Sequence, residues 1–530
     1  MTASRSSLLS VSYSERGNDM KQPNLLLIQT DQQTAETLSL HGNPALRTPA
    51  LEKLAQRGVV FEQAFCNYPA CSPSRSSMMT GRYCSTLNLH ANHMLINPAE
   101  TSLPQVLKEH GYQTALIGKN HAFMTDEKQS YYPGGTPELS STLHNVFDYV
   151  RLGDHGHMVD GYRDDPGAKA AHAWAVENCW NSPLGHGVNP APLEKCGTYL
   201  LGETMVDYLE RVRSGDKPFF TWLSFPDPHT PYQVPEPYAS MIDPADVPMP
   251  PVDTLDGKPE RVKVAHLMDA MDTADEALIR KVRAIHYGMI RFIDDTLEKI
   301  FAKLDELGLS DNTVIMFTSD HGDSMGAHGI IQKHNFFYDS FTHVPFIMSV
   351  PGYDGPRRTP HPVELVDVMP TLLEFAGVPV PPGCQGRSLV PFLLGDPAYA
   401  PRPFIVMESG EHGESPRESD IVLRPEHPFD ERYFVWCAYR DAWLGKGKAI
   451  RTGEWKLCVY ANGEGELYDL RQDPHELHNR IDDPACAQVR IELERKLMRW
   501  MMEKEDPLPL NTTVKVSMQS MKEKYGVAGQ

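Results

Sequence analysis

The 530-residue sequence has no excess of positive charge: 50 Lys and Arg stand against 70 Asp and Glu, a net charge of −20. Such a field repels a phosphate backbone and offers no long-range attraction to anionic lipid, which excludes nucleic acid and membrane surfaces as expected partners. Small anions are repelled too, so an anion-handling site in this chain must supply its own local positive charge. Long apolar runs are also missing. No stretch approaches the roughly 18–20 uninterrupted apolar residues of a membrane span, and the Ser-rich segment from Met1 to Lys21 holds no apolar run of signal-peptide length. A cytoplasmic chain is the expectation, with residues 1–20 as an N-terminal extension. Paired cysteines are absent as well. The nine cysteines, at 66, 71, 84, 179, 196, 384, 437, 458 and 486, are odd in number and form no C-x-x-C pair. That argues against a disulfide framework or zinc ribbon and for reduced thiols, most of them small buried hydrophobes.

What is present is an alternation of strand-length apolar runs with helix-period segments. Asn24–Thr30, Tyr112–Gly118, Pro218–Phe225, Asn312–Ser319 and Val344–Val350 read as buried strands. Between them, Pro49–Arg57, Leu103–His110, Tyr199–Arg213 and Ala274–Leu307 read as helices, the first two stopped by Gly58 and Gly111. This order predicts an α/β fold, a sheet sandwiched by helices on both faces. Segments Tyr131–Pro192 and Phe225–Asp256, rich in Pro, Gly and His, interrupt the pattern as long loops of lid or binding type. Short strands at Pro403–Glu408, Tyr433–Cys437, Trp455–Tyr460 and Glu466–Leu470, then a helix at Gln488–Lys504, predict a smaller C-terminal α+β subdomain built on an antiparallel sheet. The division expected is a large domain over 21–390, a subdomain over 400–506 and a tail over 507–530 that reaches across an interface between copies in a homo-oligomer.

In open sheets of this kind ligands sit outside the C-terminal strand ends, and titratable residues gather there. Asp31 follows the first strand, Lys119 and His121 the second, Asp227 and His229 the third, Asp320 and His321 the fourth. Polar loops are ordinary at any one strand end; recurrence at four of them points to a site.

The most specific signal is C-x-P-S-R-x-x-x-M-T-G-R, running from Cys71 to Arg82. Pro73 near the start of a helical stretch places Cys71 at a helix N-terminus, which favours negative charge. The pattern resembles the sulfatase family of the alkaline phosphatase superfamily, whose C-x-P-x-R core marks a Cys for oxidation to formylglycine. The resemblance implies that a formylglycine-generating enzyme converts Cys71 to an aldehyde whose hydrate supplies the nucleophile. Loss of the second hydroxyl's proton would then collapse the adduct and release sulfate without attack by water on sulfur.

Further segments carry the resemblance over roughly Asn24–Asn479. Asp31 and Gln32 stand where many sulfatases have two Asp, and Asp320 and His321 where many have Asp-Asn; with the Cys71-derived oxygen they are the implied metal ligands. This mostly oxygen donor set, with one imidazole, suits Ca²⁺, with Mn²⁺ as the alternative. Lys119 and His121 match a G-K-x-H segment, His229 a P-H-x-P loop, and Lys333 the Lys that precedes an H-V-P strand. W-K-L at Trp455–Leu457 and E-L-Y-D-L at Glu466–Leu470 match the family's C-terminal end. The implied roles place Arg75, Lys119 and Lys333 around the sulfuryl oxygens, Lys333 and His229 at the leaving group, and His121 as the base that releases sulfate. Asp323 sits in a hydrophilic turn, with supporting contacts to the site as the alternative reading.

The reaction implied is hydrolysis of a small-molecule or carbohydrate sulfate ester. Phosphonate monoester hydrolases share Asp31-Gln32 and Asp320-His321 and make phosphonate monoester or phosphodiester hydrolysis the alternative; Lys119, His121 and the Ser-rich segment favour sulfate. A metal-keeping binding protein is the reading from another class, against which every catalytic position is filled. A two-zinc phosphatase would leave Pro73 and Arg75 unexplained. Aryl, alkyl, choline and carbohydrate esters stay open; His90, Asn92, His93, His155, His157, Trp174, Trp180 and Tyr232 are the lid residues placed to choose among them.

Overall fold

The computed structural model describes residues 22–504 except 93, 125–141, 156–157, 181, 214, 253, 270, 272–273, 416 and 418–444. The expected extension over 1–20, the strand Tyr433–Cys437, His93, His157 and the tail over 507–530 lie outside the described residues. In chain order the first ten strands are β1 (Asn24–Thr30), β2 (Gly58–Phe65), β3 (Gln113–Gly118), β4 (Tyr149–Leu152), β5 (His186–Val188), β6 (Phe219–Ser224), β7 (Tyr232–Val234), β8 (Thr313–Ser319), β9 (Phe346–Ser349) and β10 (Arg358–Glu364). Eight of them form one sheet in the order β10-β2-β9-β8-β1-β6-β3-β4, while β5 and β7 pair separately. All neighbours in the large sheet are parallel except β9, which runs antiparallel to β2 and β8.

The sheet is buried on both faces because its strands are apolar on both. In β1, Leu25 and Leu27 enter one core with Met78, Met79, Leu103 and Leu372 from the helices Cys71–Thr80, Leu103–Glu109 and Val368–Phe375. Leu26 and Ile28 enter the other core, against the helices Pro49–Gln56, Gly197–Val212 and Glu276–Glu306. The last of these spans about 46 Å at 1.5 Å per residue, and Asp275 caps it by accepting a hydrogen bond from Leu278 N (2.8 Å).

Strands β2 and β10 were not expected from the sequence. β2 starts at Gly58, directly after a helix, and a Cβ there would lie 1.7 Å from Met348 O of β9, so only glycine admits this close approach. β10 contains Pro360 and Pro362, residues tolerated because it is an edge strand. The Pro- and Gly-rich segment over 131–192 also carries order of its own, including β4, β5 and the helix Pro166–Cys179. There Asp165 caps the helix by accepting from Gly167 N and Ala168 N.

Beyond the large sheet, β11 (Ile405–Ser409), β12 (Gly447–Arg451), β13 (Trp455–Tyr460) and β14 (Gly465–Asp469) form an antiparallel sheet in sequence order. One face packs Val406, Ile450 and Leu457 against Leu493, Leu497 and Trp500 of the helix Ala487–Lys504. The other packs Met407, Ala449 and Tyr468 against Phe336, Phe337 and Tyr338, just downstream of Lys333. Lys456, fully buried on β13, binds Asp339 (2.8 Å) and Glu476 (2.6 Å) across this junction. No helix among the described residues is long and apolar enough to cross a membrane.

Candidate active site

Strands β8, β1, β6 and β3 lie side by side and parallel, so their C-terminal ends deliver Asp320, Asp31, the Phe225–Thr230 loop and Lys119 to one rim. The helix Cys71–Thr80 starts at that rim. Cys71 is its first residue, and every residue of the helix is buried.

Four donor groups converge: one ligand atom each from Asp31, Cys71, Asp320 and His321 lies within 4.8 Å of the others. Cys71 Sγ is 3.2 Å from His321 Nε2 and 3.6 Å from Asp31 Oδ1. His321 Nδ1 donates to Gly322 O (2.9 Å), which turns Nε2 toward the cluster. Two carboxylates, an imidazole and the head of a helix in one buried space fit a divalent cation, with Cys71 Sγ among them. Gln32 sits beside this set. Its backbone N donates to Asp320 Oδ1 (3.1 Å), and its Oε1 accepts from Lys333 Nζ (2.6 Å).

The positive charge that the net −20 made necessary is present and buried. Arg75 is fully buried; its Nε donates to Asp320 Oδ2 (2.7 Å), Nη2 to Asp31 Oδ2 (3.1 Å), and Nη1 to Ser224 Oγ (2.7 Å) and Lys119 O (3.2 Å). Lys119 pairs with Asp31 and donates to His155 Nε2 (2.8 Å). Its placement needs Gly118, which has φ of +104° and where a Cβ would lie 1.8 Å from Ser224 O. Lys333 donates to His229 Nε2 (2.7 Å), and His229 Nδ1 donates to Thr230 O (2.7 Å). Each lysine is thus clasped by one imidazole, and the two imidazoles stack with centroids 4.1 Å apart.

These charges govern protonation. Burial and Cys71 push the Asp31 carboxyl up, but Lys119, His229 and Arg75 outweigh them and hold it at about 2. Burial would raise the Cys71 thiol; Lys119, Lys333 and His321 hold it well below the ordinary value. His229 is held down to about 3 by burial and then by Lys333, and His155 well below its usual value by burial and then by Lys119, so both rings are neutral at pH 7.

Every expected site residue that is described lies at this rim or against it. His121, at φ of +50°, donates from Nε2 to Asn92 O (3.1 Å) and also acts on Cys71. Among the lid residues, Asn92 accepts from Ser72 N (3.2 Å) and Trp180 meets His155 edge-on at 6.3 Å. Tyr232 is buried behind Gln32, donating to Asp323 Oδ2 (2.6 Å), the oxygen that also accepts from Gln32 Nε2, and Trp174 packs over Gly187. The sequence placed His155 only among lid residues and did not single out Ser224. A His following a short strand carries no local signature; only the pairing of β3 with β4 sets it beside Lys119.

The sequence model of the family described as Sulfatase matches residues 23–378. The chain belongs to the sulfatase family. A second model, N-sulphoglucosamine sulphohydrolase, C-terminal, matches residues 422–503 of this sulfatase. It is 29% identical to the multifunctional alkaline phosphatase superfamily protein PehA of Trinickia caryophylli, over 92% of this chain and 96% of that protein. It is 27% identical to an arylsulfatase of Clostridium perfringens, over 90% and 93% of the two chains. Among solved structures, the phosphonate monoester hydrolase of Agrobacterium radiobacter superposes with a TM-score of 0.73 at 25% identity, covering 94% of this chain and 98% of that one. The sulfatase is by class a sulfuric ester hydrolase.

Proposed function

We propose that this sulfatase cleaves a sulfate monoester to an alcohol and inorganic sulfate at the Cys71 rim, after a formylglycine-generating enzyme has oxidised Cys71. The observation that carries the reading is the convergence of Asp31, Cys71, Asp320 and His321 within 4.8 Å beneath two buried lysines. Asp31, Asp320 and His321 would hold one divalent ion, Ca²⁺ or alternatively Mn²⁺, with Gln32 and the Cys71-derived oxygen completing its donors. The ion would supply charge stabilisation at a sulfuryl oxygen, and formylglycine hydrate a hydroxyl nucleophile.

The chain's own residues do the rest. Arg75 holds both metal-facing carboxylates in orientation, with one remaining N–H beyond its four bonds. Lys119 and Lys333 bracket the position of the sulfuryl group and lower the cost of charge that develops there. Lys333 donates a proton toward the departing oxygen, and neutral His229 keeps its Nζ in place. His121 accepts a proton at the side chain derived from Cys71, the step that frees sulfate.

A second reading, phosphonate monoester or phosphodiester hydrolysis, is favoured by one observation: the Asp31-Gln32 and Asp320-His321 set lies in a fold that superposes on a phosphonate monoester hydrolase. The deciding measurement is kcat/KM on 4-nitrophenyl sulfate, choline sulfate, sugar sulfates and phenyl phosphonate. Highest efficiency on a sulfate is expected; higher efficiency on phosphonate than on every sulfate overturns the main reading. Cys71→Ala abolishes turnover, and Cys71→Ser allows at most a single turnover because a serine adduct cannot collapse. Multiple turnovers near the wild-type rate by Cys71→Ser would refute the formylglycine step.

A further inference from the structure

Besides His121, three non-glycine residues close together in space adopt the left-handed backbone: Gln32 (φ +62°), Met325 (φ +46°) and Gln332 (φ +58°). This region is costly for residues with a Cβ and persists where surrounding contacts impose it. Gln32, Met325 and Gln332 all hydrogen-bond to one carboxylate. Asp323 Oδ1 accepts from Met325 N (2.9 Å) and Gln332 N (2.8 Å), and Oδ2 accepts from Gln32 Nε2 (2.7 Å) and Tyr232 OH (2.6 Å). Asp323 is fully buried. A polar turn accounts for the bond to Met325, two residues on, but not for partners brought from β1's end, from β7 and from the segment before Lys333.

We propose that Asp323 is the positioning residue that sets the Gln32 amide, its carbonyl toward Lys333 and the metal-facing cluster, and that holds the backbone from which Lys333 projects. The donor logic closes. Lys333 Nζ can only donate, so Gln32 must present Oε1 to it, which turns Nε2 toward Asp323. Asp323 must then accept on Oδ2, while two backbone N–H groups hold Oδ1 as an acceptor too. Through Tyr232 the same carboxylate anchors the loop three residues beyond His229. One side chain therefore keeps Gln32, Lys333 and His229 in mutual register.

The inference rests on Gln32 and Lys333 serving the reaction as proposed above, and its test includes a readout that needs no substrate. Asp323→Asn keeps the shape but sets an N–H₂ against Gln32 Nε2, which forces the Gln32 amide to flip and puts its N–H₂ against Lys333. With the metal-loaded full-length protein, kcat on the best sulfate ester is expected to fall about 10–100-fold with KM changed less than about threefold. Titration of the metal-free protein with Ca²⁺ or Mn²⁺ alone is expected to show affinity weakened about tenfold or more. The double variant Gln32→Glu with Asp323→Asn restores the donor–acceptor match between positions 32 and 323 and toward Lys333, reverses the Tyr232 hydroxyl from donor to acceptor, and keeps the net charge. It is expected to exceed each single variant at least tenfold in kcat and to regain metal affinity. Asp323→Asn within threefold of wild type in both readouts overturns the proposal, as do losses that simply add in the double variant. If Asp323→Asn does not fold, Gln32→Glu is compared with the double variant, and a double variant no better than Gln32→Glu overturns it. If no sulfate ester is turned over at all, the metal titration still decides the role of Asp323.

Discussion

Lys333 and His229 form the lysine–imidazole pair that, among the described residues, faces both Gln32 and the proposed leaving-group side. Lys333 is buried, and its Nζ is held at 2.6 Å from Gln32 and 2.7 Å from His229. A general acid matters in proportion to how poorly the leaving group departs unaided. Lys333→Ala is therefore expected to cost about 10²–10⁴-fold in kcat/KM on an alkyl or sugar sulfate, and less than about tenfold on 4-nitrophenyl sulfate, whose phenolate needs little help. Equal losses on both substrate types would remove Lys333 from the leaving-group role. At this scale the sequence was informative wherever a residue sat in a short motif: Cys71, Arg75, Lys119, His121, His229, Lys333, Asp31, Gln32, Asp320 and His321 are all found at or against the rim. The pairing of His155 with Lys119 and the contacts of Asp323 with Gln32 and Tyr232 were not legible, because these partners lie far along the chain and no local spacing encodes them.

The junction of β3 with Lys119 shows how an element's end sets chemistry. Gly118 has φ of +104° and no room for a Cβ beside Ser224 O, while Lys119 N donates to that same oxygen (2.8 Å). Gly118→Ala must pay about 1–2 kcal/mol for the left-handed backbone and also displace β6 or β3 to relieve the clash. The expected result is a lower thermal midpoint together with a loss in kcat larger than the stability change explains, because Lys119 moves. Wild-type activity with only a lowered midpoint would show that the strand end tolerates the shift. Five of the eight strands of the central sheet, β1, β3, β6, β8 and β9, were legible as apolar runs, with ends within two residues of those expected; β2, β4 and β10 were not expected. β10 was hidden because two prolines mask an edge strand, and the antiparallel direction of β9 is set by how the chain returns, which composition does not register.

At the scale of the whole molecule, a single cation would tie the ends of β1 and β8 to the head of the helix Cys71–Thr80. Ligand-linked stabilisation is about 2.7 kcal/mol when the free ion is at 100 times its dissociation constant. Removal of the ion by a chelator is expected to lower the unfolding midpoint and abolish turnover, with Ca²⁺ or Mn²⁺ restoring both. An unchanged midpoint in protein shown by elemental analysis to be metal-free would mean that Arg75, Lys119 and Lys333 alone balance the carboxylates. By itself the sequence determined the α/β order of elements, the C-x-P-S-R motif at Cys71 and the residue types at four strand ends, since periodicity and short motifs are local properties. Only the tertiary structure decided which strands are neighbours. That order brings Asp31 to Asp320 across 288 intervening residues' worth of chain, turns Arg75 onto both carboxylates, and closes the ring of donors on Asp323. Such arrangements depend on pairing between distant segments, which no window of sequence contains.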